Sequence, residues 1–151
     1  MKHSLNLLME QCDKRQENLA RNLSNLQNSL NRIKATRQSL ETYLGEYFQQ
    51  HLQQSGKTGG HLRSHDKFVA RIETALSTQS AEAEKVMAQI QQVSEALLQT
   101  RVERMRYEAL LNRLASSEAQ ALAKREQKTT DELSGRLAAA RILAARRQQG
   151  A

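Results

Sequence analysis

The 151-residue chain can be reflected about residue 58 so that its apolar positions pair across the fold. Leu5, Met9, Cys12, Gln16, Leu19, Leu23, Leu26, Leu30, Ile33, Arg37, Leu40, Leu44 and Tyr47 follow one another in alternating steps of four and three residues. Val69, Ile72, Leu76, Gln79, Ala83, Val86, Ile90, Val93, Leu97, Thr100, Arg104, Tyr107 and Leu111 do the same. Such stepping marks the a and d positions of a coiled-coil seam. Partners across the reflection add up to 116, as in Leu44 with Ile72, Leu30 with Val86, Leu19 with Leu97 and Leu5 with Leu111. The polar interruptions obey the same rule, Arg37 falling opposite Gln79 and Gln16 opposite Thr100. Two unrelated helices would have no reason to align their defects. The pattern therefore predicts an all-α fold, a long two-helix antiparallel coiled-coil hairpin, with little room for an enclosed catalytic site.

Composition supports a seam and not a thick core. Apolar residues make up 38% of the chain and the mean hydropathy is −0.72. There is no proline to break a helix, and only five residues are aromatic. The first helix is expected over residues 4–53, with Ser4 as its N-cap, and the second over 61–148. Between them QSGKTGG, residues 54–60, holds three of the six glycines and sits at the mirror point. A short loop between long helices makes them antiparallel neighbours. One domain, residues 1–151, accommodates all of this.

The reflection runs out near Leu114, whose partner would be Lys2. Beyond about residue 115 the second helix has nothing within the chain to pair with. It overhangs by about 35 residues, or ~50 Å. Gly135 weakens this arm by ~1 kcal/mol relative to Ala without ending the helix. The arm is polar through KREQKTTDE and then carries a short apolar stripe, Leu133, Leu137, Ala140, Leu143 and Ala144. An amphipathic end without a partner is expected to dock on one.

Motifs that would carry chemistry are weak. Gly56-Lys57-Thr58 resembles the end of a phosphate loop, but His51 stands where the first glycine should be and no strand precedes it. His61 and His65 lie one helical turn apart, with His51 across the turn. No fourth ligand joins them, so a surface cluster is the better reading than a metal site. Cys12 falls at a d position, where it serves as a small buried hydrophobe. Acidic and basic residues alternate as helix-surface pairs, and no nucleophile–base constellation is present. The chain is expected not to be an enzyme and to need no cofactor. No stretch approaches the roughly 20 apolar residues that span a bilayer, and the N-terminus does not look like a secretion signal.

The charge of +7 is uneven, about +2, 0 and +5 over successive thirds. The excess on the C-terminal arm could face nucleic acid, acidic protein or lipid. Four of the five aromatics gather instead near the turn: Tyr43, Tyr47, Phe48 and Phe68. Tyr47, Ile72 and Gln79 occupy seam positions. Tyr43, Phe68 and Ala75 fall at g positions, which share one flank of an antiparallel pair and are better placed for contact. A nucleic-acid stacking platform would interleave aromatics with Lys and Arg, and this chain separates them, so nucleic acid is not the expected partner.

The order of these features carries a family resemblance. Tyr43-x3-Tyr47, the glycine loop, then Phe68-x3-Ile72-x2-Ala75-x3-Gln79 are followed by Tyr107-Glu108-x-Leu110 and Lys124-Arg125-Glu126-Gln127-Lys128-x2-Asp131-Glu132. Over essentially the whole chain this resembles the flagellar export protein FliJ family. The resemblance implies a cytoplasmic stalk of the type III export apparatus, associated peripherally with the inner membrane. It implies an export ATPase hexamer, the cytoplasmic part of the export gate membrane protein, and export chaperones as partners. Gate contact would fall on Tyr43, Tyr47, Phe68, Ile72, Ala75 and Gln79. Insertion into the ATPase ring would use the arm, with Arg125, Lys128, Leu133, Leu137 and Arg141. Thr36 stands where the family often has Gln. The stalk of a virulence injectisome would share this fold and mechanism. A basic nucleic-acid-binding coiled coil and a homo-oligomeric rod are more distant alternatives.

Overall fold

The computed structural model describes residues 1–53 and 59–150. Helix α1 spans Lys2–Gln53 and helix α2 spans Gly59–Gln149. They contact each other as an all-α antiparallel hairpin, and no strand occurs among the described residues. The expected loop motif Gly56-Lys57-Thr58 lies outside those residues. Both helices start two residues earlier than their sequence signals suggest. The Leu5 backbone N–H donates to the Met1 carbonyl at 3.1 Å, so the first turn closes before Ser4 and leaves Ser4 no role as N-cap. At the other end the Gly150 N–H donates to the Arg146 carbonyl at 3.1 Å, closing the last turn.

Two compact units are distinguished, Gln11–Glu103 and Met1–Glu10 together with Arg104–Ala151. In the first, the expected seam positions are buried or half-buried, Arg37 excepted. Cys12, Ala83, Val86, Leu97 and Thr100 are buried, and among the described residues no large side chain is fully enclosed. Two helices can cover each other along one stripe only, so most seam residues keep an open flank. The best-covered positions are mostly small, because small side chains let the helix axes approach and neighbouring side chains close over them.

Two of the polar seam positions, Arg37 and Thr100, bond within their own helices. Arg37 is exposed, and its Nε donates to Glu41 Oε1 at 3.2 Å along α1 instead of entering the layer with Gln79. A long side chain that can reach water avoids the cost of burying its charge. Thr100 is buried, but its hydroxyl donates to the Ala96 carbonyl 2.8 Å away in its own helix. That bond satisfies the hydroxyl without help from α1, so it confers no cross-helix specificity.

In the second unit Leu5 is buried, while Met9, Arg104, Tyr107, Leu111 and Leu114 are half-buried. Every residue from 115 to 150 is exposed. Helix α2 nevertheless continues through Gly135, as its propensity allows.

A Cβ at Gly45 or at Gly135 would meet nothing within 4 Å. Gly45→Ala is therefore expected to raise hairpin stability by about 1 kcal/mol in chemical denaturation. Gly135→Ala should raise helical content by circular dichroism and leave the denaturation midpoint unmoved, because residue 135 has no tertiary contact to stabilise.

Candidate partner-binding sites

The aromatic tip belongs to the unit Gln11–Glu103. Helical periodicity brings Tyr43 and Tyr47 onto adjacent strips of α1, facing His65 and Phe68 on α2. The Phe68 ring centre lies 4.3 Å from that of Tyr47 and 5.8 Å from that of Tyr43, the latter edge-to-face. Tyr43 is 54% exposed, whereas Phe68 and Ala75 are half-buried. Of the three flank residues, Tyr43 offers the most surface, and Phe68 acts as the wedge that props it. Tyr47, Ile72 and Gln79 are half-buried in the seam. Phe48, on the opposite flank, is 39% exposed and sits edge-on to His65 at 5.8 Å.

The histidines depart from the surface-cluster reading. His65 is half-buried and lies nearly parallel to Tyr47, with ring centres 5.1 Å apart and planes 14° apart. His51 stacks on the other imidazole at 3.8 Å and 15°. His65 Nδ1 and the Tyr47 hydroxyl are hydrogen-bonded at 3.1 Å. Imidazole lone pairs lie in the ring plane, so two parallel rings do not converge on one ion. Among the described residues no group of three or more His, Cys, Asp or Glu is placed to hold a metal. The His61 side chain lies outside the described residues. Spacing placed His51 across the turn from His65, but could not show that the two rings would stack, which depends on side-chain rotamers.

The unpaired arm lies in the other unit. Leu122, Leu133, Leu137, Ile142 and Leu143 are each more than half exposed. Arg125, Lys128 and Arg141 are exposed as well. Thr129 and Thr130 donate to the carbonyls of Arg125 and Glu126 at 2.9 Å, so their hydroxyls turn inward to the backbone. Where α1 begins, Met1, Leu5, Leu110, Arg113, Leu114 and Ser117 line an open, largely apolar groove of about 410 Å³. Lys2 pairs with Glu118 beside it. Ile142 is an exposed apolar residue that the sequence stripe omitted, and it broadens the apolar face beyond Leu143.

The family model described as Flagellar FliJ protein matches residues 1–142. The chain belongs to the flagellar FliJ family. FliJ-family membership makes it a stalk-type protein related to flagellar export, in a family of structural export components. The match runs through the tip and most of the arm, ending at Ile142 within the last apolar cluster. Comparison with curated proteins and with solved structures returns no match. No helix among the described residues of this FliJ-family chain is long and apolar enough to cross a membrane.

Proposed function

We propose that this protein works as a non-enzymatic stalk whose C-terminal arm inserts into the export ATPase ring while its aromatic tip engages the export gate. The observation that carries this reading is the arm itself. A helix whose residues 115–150 are all exposed, with four large aliphatic side chains between Leu133 and Leu143, is built to be covered by something else. Arg125, Lys128, Arg136, Arg141, Arg146 and Arg147 surround that stripe and would steer it toward an acidic channel, an attraction weakened by salt. At the tip, Tyr43 is an exposed aromatic held on a rigid support, the usual form of a binding anchor. Export chaperones are further partners of this reading, and contact with the gate would hold the protein at the inner membrane. The family match favours the flagellar over the injectisome system.

The direct experiment adds the full chain to the cognate export ATPase. Hydrolysis and hexamer formation should both rise. If both stay at the level of the ATPase alone, the stalk reading fails.

A further inference from the structure

The stack at the tip has a chemistry that partner binding leaves unused. Two imidazoles lie with ring centres 3.8 Å apart, the Tyr47 ring lies beside the pair, 5.1 Å from His65 and 6.2 Å from His51, and Phe68 packs on Tyr47 at 4.3 Å. The cluster thus runs from His51 through His65 and Tyr47 to Phe68, and Phe68 supports Tyr43. Histidine is the side chain whose charge changes between about pH 5 and pH 8. A neutral ring, or one neutral and one charged ring, stacks favourably. Two imidazolium rings at this separation place like charges face to face. The hydrogen bond between His65 and the Tyr47 hydroxyl does not oppose opening, because the phenol can donate to a neutral ring or accept from a charged one. The charged side chains nearest in sequence are Glu46 on α1 and Arg63, Asp66 and Lys67 on α2, all exposed to solvent, where water screens their effect.

We infer that the His51–His65 stack is a proton-sensitive clasp, closed when at most one ring is charged and opened when both are. Opening moves His65 against the Tyr47 ring to which it is hydrogen-bonded, and through Phe68 changes how Tyr43 is presented. The clasp does not depend on which partner the tip binds, so it stands or falls separately from the stalk reading.

The test follows the ring resonances of Tyr43, Tyr47 and Phe68 by NMR in the full chain, from about pH 8 to about pH 5. The expected result is a joint shift of the Tyr47 and Phe68 signals away from their positions at high pH on acidification, reversible and with helicity by circular dichroism unchanged. His65→Phe keeps an aromatic ring in the stack without its charge, and should abolish the shift. His51→Phe should do the same, and His61→Gln should leave it in place. Unmoved wild-type signals, the same shift in His65→Phe, loss of the shift in His61→Gln, or a parallel loss of helicity would each overturn the inference.

Discussion

Removing residues 115–151 is expected to return ATPase hydrolysis and hexamer formation to the level of the ATPase alone, while the remaining hairpin stays folded. The two halves of this result have separate causes. The arm presents Leu133, Leu137, Ile142 and Leu143 to solvent, so deleting it removes a surface available to a partner and side chains that are each more than half exposed. The deletion also removes the exposed Lys2–Glu118 pair and Ser117 from the groove beside Met1 and Leu5. Pairs of this kind contribute about 0–1 kcal/mol. The thermal midpoint should therefore move little. Substituting Leu133 and Leu137 together by Asp should reproduce the loss of stimulation without shortening the chain. A truncated protein that stimulates as well as the full chain would place the ring contact elsewhere, and a large drop in midpoint would mean that the arm supports the hairpin after all.

The second expected result separates binding from stability at the tip. Tyr43→Ala should weaken binding to the cytoplasmic part of the gate by about 10- to 100-fold, the range of a central aromatic anchor. It should shift the melting midpoint only slightly, because more than half of that side chain is already in water. Ile72→Ala should do the reverse. Ile72 is half-buried in the seam, and shortening it leaves a gap between the helices that costs up to ~2–4 kcal/mol. Any loss of gate affinity in Ile72→Ala should then disappear at low temperature, where the tip refolds. Phe68→Ala is expected to fall between the two, losing affinity through the unsupported Tyr43 ring and stability through lost contact with Tyr47. Titrations by calorimetry, paired with thermal melts, would distinguish these patterns. Equal affinity of Tyr43→Ala and wild type would remove the tip from the gate interface.

The seam was legible because a two-helix hairpin has one dominant constraint, the alternation of four and three, and the reflection doubles it. Leu97, Val86 and Leu5 are buried where that alternation places them. The pattern could not say what a polar residue does once it occupies a seam position. Arg37 has a side chain long enough to escape to Glu41, whereas Thr100 is short enough to stay buried and bond its own backbone. Heptad position is the same kind of fact for both, and side-chain reach decides between them. At the tip, the register placed Tyr43 and Phe68 on one flank. It could not show that Phe68 would be half-covered by two tyrosine rings, or that His51 would lie on His65. Those arrangements come from ring orientations, which the spacing of letters does not encode.

The layers of the hairpin also differ in how much chain each must close. Tyr47 and His65 are separated by 18 residues, whereas Arg15 and its partner Glu103, 3.3 Å away, are separated by 88. The entropy lost in joining two points of a flexible chain rises with the length between them. Once the tip layer has formed, however, the next layer closes only a few more residues instead of the whole loop. The cheapest route to the folded state starts at the aromatic cluster and zips toward Arg15. With no proline anywhere in the chain, that zipping has no prolyl isomerisation to wait for. The rings at the tip thus also mark the point from which the two helices find their register.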